Sequence, residues 1–103
     1  MILIAHKVNN LKELKKIPSI YGIEIDVRDF NNSLILQHDP FVKGEKIENF
    51  LRKFNHKFII FNVKSERIEF KILNLISKYK IKDYFFLDSS FPMIRLLIKK
   101  NIK

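Results

Sequence analysis

The 103-residue chain has no cysteine and no tryptophan, two glycines, three prolines, and 11 acidic residues against 20 lysines and arginines. The lack of cysteine excludes a disulfide framework, a thiolate metal site and a thiol nucleophile. The apolar opening is broken at His6 and Lys7 and has no basic stretch before it. It is therefore too short for a signal peptide or a membrane span. No other run is long enough to serve, so a cytoplasmic protein without a transmembrane segment is expected. No Pro/Gly-rich linker, low-complexity tract or internal repeat divides the chain, and residues 1–103 are expected to form a single domain. With 47% hydrophobic and 30% charged residues, the composition is that of a folded globular chain, not a disordered one.

The shortage of acids leaves a formal net charge of +9. Such a balance suits an anionic partner: a nucleic acid, a phosphate ester or an anionic membrane surface. The lysines, however, are spread over expected helix surfaces (Lys12, Lys15, Lys71, Lys78 and Lys99 among them). They also accompany an excess of Ile, Asn and Phe, as in a general compositional bias. No aromatic-basic recognition motif is present. Nucleic-acid binding is thus the lesser reading, and its signature would be an affinity that falls steeply with salt.

What the chain does contain is an alternation of β-rich apolar runs with helical patterns. Residues 2–6, 21–27, 34–38, 58–64 and 84–87 read as strands. Residues 11–17, 46–54, 66–80 and 92–100 read as helices. In the second of these Ile47, Phe50, Leu51 and Phe54 fall on one face. Asn10 and Glu13 have capping-box spacing, Pro18 stops the first helix, and Ser65 and Ser90 are placed to cap the last two. The turn-forming cluster at residues 28–33 predicts a tight link between the second and third strands. His56 falls in a helix-to-strand connection and reads as a surface residue. Alternating strands and helices imply an α/β fold with a parallel sheet. The polar residues His6, Asp26, His38, Lys64 and Asp88 all fall at strand C-terminal ends, where such sheets carry their chemistry.

One stretch conflicts with a plain strand. In Gly22-Ile-Glu-Ile-Asp-Val27, Ile23, Ile25 and Val27 share one face and Glu24 and Asp26 the other. Two carboxylates side by side repel each other and resist burial unless a cation or proton lies between them. A second run, residues 34–38, ends in His38-Asp39-Pro40.

Taken together, these residues resemble the glycerophosphodiester phosphodiesterase family of the phosphatidylinositol-phospholipase-C-like superfamily. The family's opening Ala-His-Arg-Gly is matched by Ala5-His6-Lys7-Val8 and its Glu-x-Asp-Val by Glu24-Ile-Asp26-Val27. Its His-Asp-Pro is matched by His38-Asp39-Pro40, and its Glu-x-Lys by Asn62-Val63-Lys64. The resemblance implies the N-terminal portion, about five βα units, of a TIM-type (β/α)8 barrel with a parallel sheet and helices outside. It implies a divalent metal, Ca²⁺ or Mg²⁺, held by Glu24, Asp26 and Asn62. It implies His6 and His38 as an acid-base pair, and Lys7 and Lys64 as contacts to the phosphate of a small-molecule phosphodiester. Imidazoles titrate near neutrality, so two of them can divide the acid and base roles, and hard oxygen ligands suit the metal. Three positions depart from the pattern. Lys7 lacks the fork of the family's Arg, Val8 stands for a Gly, and Asn62 stands for a carboxylate. A complete barrel takes about 200 residues or more, so this length implies either a fragment of a longer protein or a half-barrel; the uncovered inner face of a half-barrel would favour a homodimer. A truncated relative that binds phosphate without turnover is the alternative.

Overall fold

A computed structural model describes residues 3–87. Its elements in order are β1 (Ile4–Ala5), α1 (Leu11–Leu14), β2 (Gly22–Phe30), β3 (Ser33–Leu36), β4 (Glu45–Lys46), α2 (Ile47–Leu51), β5 (Phe58–Val63), α3 (Glu69–Lys78) and β6 (Tyr84–Leu87). The helix expected at residues 92–100, its cap Ser90 and the strand-end Asp88 lie outside the described residues.

The sheet is mixed, which corrects the expected parallel (β/α)8-type arrangement. Strand order is β4-β3-β2-β5-β6, with β1 pairing β2 as well. β1, β5 and β6 run parallel to their partners, whereas β2-β3 and β3-β4 are antiparallel. The reason is local. Asn31 and Asn32 both take left-handed backbone, with φ of 49° and 63°. Two such residues in a row make a type I′ turn, whose twist matches a two-residue hairpin, and Asn tolerates that conformation. Phe30 and Ser33 therefore pair directly. A parallel return would need a crossover of a dozen residues or more, and the turn leaves no room for one. The strand reading thus fell short at both ends of this hairpin: Arg28, Asp29 and Phe30 belong to β2, and Glu45–Lys46 adds a strand.

Among the described residues, the three helices pack on one face of the sheet. That face presents Ile23, Ile25 and Val27 from β2, Leu34 and Leu36 from β3, and Ile59, Phe61 and Val63 from β5. Against it lie Leu14 of α1, Ile47, Phe50 and Leu51 of α2, and Ile72 and Ile76 of α3. Alternation along each strand sends the intervening residues to the opposite face. β2 meets β5 in the register Glu24↔Ile60 and Asp26↔Asn62, so the acids and Asn62 share the face that these helices do not cover. Near its start, Gly22 lies under the Phe58 ring, where a Cβ would collide with that ring. Phe58 in turn meets Phe85 edge-on at 5.9 Å.

Among the described residues no helix is long and apolar enough to cross a membrane.

Candidate functional site

β2 is hydrogen-bonded along both edges, and the site forms where its neighbours change. On one edge β1 pairs Gly22 and Ile23, and β3 takes over from Val27. In the gap between them Asp26 has no strand to receive its N–H. Asn9 fills that place: its Oδ1 accepts from Asp26 N at 2.8 Å, and its Nδ2 donates to Asp26 Oδ2 at 3.0 Å. The Asn9 side chain therefore stands in for a missing ladder residue and at the same time fixes the carboxylate. Its partner Asn10 caps α1 as expected, accepting from Glu13 N at 2.8 Å.

Asp26 is fully buried. With Oδ2 held by Asn9, its Oδ1 has no hydrogen-bond partner, and neither has the buried Oδ1 of Asn62. The two residues are direct partners across the β2-β5 ladder. Glu24, two residues back on the same face, is 13% exposed and completes a set of oxygen donors. A buried, unsatisfied acceptor costs about 1–3 kcal/mol, more when charged. Two such oxygens beside a second carboxylate fit a hard cation such as Ca²⁺ or Mg²⁺. A cation of the protein's own stands beside them: Lys64 Nζ lies 4.0 Å from Asp26 Oδ1. Among the described residues no three His, Cys, Asp or Glu side chains form a metal cluster; the third donor here is an amide oxygen.

The histidines are arranged unequally. The left-handed backbone at Lys7, φ 54°, breaks β1 just after His6. Beyond the break the chain rejoins β2 through Val8 N donating to Glu24 O at 2.9 Å. Val8, where the family has Gly, is buried in the core. The break leaves His6 69% exposed, with Nδ1 3.3 Å from Glu24 Oε1. His38 is 50% exposed, and its Nδ1 lies 3.2 Å from Oδ1 of its own neighbour Asp39. What ties His38 to the site is its carbonyl, which accepts from Arg28 Nε at 3.1 Å and Nη2 at 2.6 Å. Arg28 Nη1 also donates to Lys64 O at 3.3 Å. The Lys7 side chain is exposed and makes no hydrogen bond or ion pair with a described residue.

Glu24, Asp26, Asn62, Lys64 and His6 are thus brought together. His38 joins them through the backbone, and Lys7 stays at the rim. Asn9 and Arg28 were not foreseen. The surplus of Arg28 donors at a strand end was the one available signal for the second of them. His56, expected at the surface, is half-buried at the opposite end of β5, with Nε2 2.8 Å from Ile17 O and its ring stacked on Phe54. No family model, curated protein or solved structure matches this chain.

Proposed function

We propose that this protein is a metal-dependent phosphodiesterase acting on glycerophosphodiester-like or phospholipid-headgroup phosphodiesters, as its resemblance to the glycerophosphodiester phosphodiesterases implies. One observation carries the reading. Buried oxygens of Asp26 and Asn62 that receive no hydrogen bond sit in register on adjacent strands, with His6 against Glu24 on the same face and the Lys64 ammonium 4.0 Å from Asp26 Oδ1.

Glu24, Asp26 and Asn62 would hold the cation, which when bound neutralises charge on the phosphoryl oxygens and polarises the phosphorus. Lys64 places an ammonium on the same face, where it offsets the charge that grows on those oxygens in the transition state. One imidazole of the His6/His38 pair accepts the proton of the attacking hydroxyl, from water or from a neighbouring group of the substrate. The other donates a proton to the oxygen of the departing alcohol as the P–O bond breaks. With water as the nucleophile the products are a phosphomonoester and an alcohol; with a substrate hydroxyl, the alcohol leaves a cyclic phosphodiester that water then opens to the phosphomonoester. With Glu24 accepting from His6 Nδ1–H, the neutral imidazole keeps its proton on Nδ1 and offers Nε2 as the proton acceptor.

The test is release of alcohol and phosphomonoester in the presence of Ca²⁺ or Mg²⁺, with a bell-shaped pH-rate profile. Glu24→Ala and His38→Ala should each remove at least about 100-fold of the rate. Full activity in either variant would sink the assignment. Asn62 favours a second reading, because an amide in place of a carboxylate holds metal less tightly. On that reading the site binds inorganic phosphate or a phosphodiester without turnover, which calorimetry and the same assay distinguish.

A further inference from the structure

We infer that Arg28 is the positioning residue of this site, and that it holds His38 and Lys64 in place through their backbone carbonyls. The inference rests on the phosphodiesterase reading for its effect on rate, and on geometry alone for its effect on order. β3 leaves the ladder at Leu36, so His38 lies two residues beyond the last strand pairing. Its imidazole lies against the exposed carboxylate of its neighbour Asp39. Gln37 N tethers the chain to Asp26 O at 3.0 Å just before it, and Asp39 N reaches Gln37 Oε1 at 3.3 Å just after, so the anchor of His38 itself is the Arg28 guanidinium on its carbonyl. On the other edge, β5 ends at Val63; just past it Lys64 N donates to Val27 O at 2.9 Å and Ser65 Oγ accepts from Asp29 N at 3.1 Å, which leaves the Lys64 carbonyl for Arg28.

β2 outruns β5, while on its other edge it stays paired with β3 as far as Phe30 and Ser33. Arg28 is the first residue beyond its pairing with β5, and alternation places it on the face of Glu24 and Asp26. From there one guanidinium reaches both sides: Nε and Nη2 converge on His38 O, and Nη1 reaches Lys64 O. Hydrogen bonds from an ionised donor are roughly twice as strong as neutral ones. The guanidinium is also a rigid planar fork, so fixing one carbonyl fixes the direction of the other donor. An ammonium is a single point and cannot span two carbonyls on opposite edges. Arg28 therefore converts two separate strand ends into one rigid rim carrying an acid-base group and a phosphate-binding group.

The experiment compares wild type with Arg28→Lys and Arg28→Ala. Misplacing a reacting group by about 1 Å can cost roughly 100-fold. Both variants should therefore lose about that factor in kcat while KM changes far less. Backbone ¹⁵N relaxation should show the His38 amide order parameter falling from about 0.85 to below about 0.6, with the Asp26 amide unchanged. Millimolar guanidinium, but not ammonium, should restore kcat to Arg28→Ala. Wild-type kcat in Arg28→Lys, or a rigid His38 in Arg28→Ala, overturns the proposal. Loosening of His38 in a protein whose wild type shows no turnover establishes the clamp and overturns the phosphodiesterase reading instead, so the two failures are distinct.

Discussion

At the scale of single residues, the site depends on how few partners each oxygen has. Asn9 meets both the N–H and one carboxylate oxygen of Asp26. Asn9→Ala strands two buried groups at once and should destabilise the protein by about 2–4 kcal/mol, read from urea unfolding. An unchanged midpoint would mean that water replaces Asn9 without cost. Lys64 stands closer to a dual role. Its ammonium lies 4.0 Å from the oxygen that a metal would take, so the two cations compete for Asp26. Lys64→Met should therefore strengthen Ca²⁺ binding by roughly threefold to tenfold, given the screening at a partly exposed group, while lowering turnover. Calorimetry showing weaker Ca²⁺ binding would exclude the competition. No simple loss-of-site argument gives these opposite signs.

At the scale of elements, the hairpin and the start of β2 decide where the acids sit. Asn31 and Asn32 hold the left-handed turn that lets β3 fold straight back on β2. Replacing Asn32 with Gly should stabilise the hairpin by about 0.5–1 kcal/mol, since glycine carries no Cβ penalty there. Valine at the same position should destabilise by more than that, because a branched Cβ resists positive φ. Both effects are measurable as shifts in thermal midpoint. Gly22→Ala brings a methyl into the Phe58 ring and should cost about 1–3 kcal/mol. Much of this level was legible in advance. The alternation of Ile23, Glu24, Ile25, Asp26 and Val27 gave the two faces correctly, and the helical spacing of Ile47, Phe50 and Leu51 placed α2. Strand direction was not legible. The turn signal at residues 28–33 was present, but strand-helix alternation elsewhere outweighed it. Only the pairing of Phe30 with Ser33 shows the turn to be two residues long. Nor can a sequence indicate that Asn9 would fill a gap in the ladder, since that gap exists only where β1 ends and β3 begins.

At the scale of the whole molecule, a cation bound only by the folded chain adds stability by mass action. Ca²⁺ at 100 times its dissociation constant should contribute about 2.7 kcal/mol. The gain should vanish in Glu24→Ala, with the thermal midpoint as the readout. A midpoint indifferent to Ca²⁺ and Mg²⁺ in the wild type would remove the metal from the account. The distribution of that stability follows from the unequal anchoring of the strands. β2 is held by β1 and β3 on one edge and β5 on the other, whereas β1 is two residues long. Segments with few buried contacts open first, and central strands exchange their amide protons last. Glu24 and Asp26 thus ride on the slowest-exchanging part of the chain, and His6 on one of the fastest. On gentle heating, β1 should detach while the oxygen donors are still in place. On the proposed phosphodiesterase reading, the protein would then pass through a range of temperature in which a cation could still bind fully while one of the two proposed proton carriers is already lost.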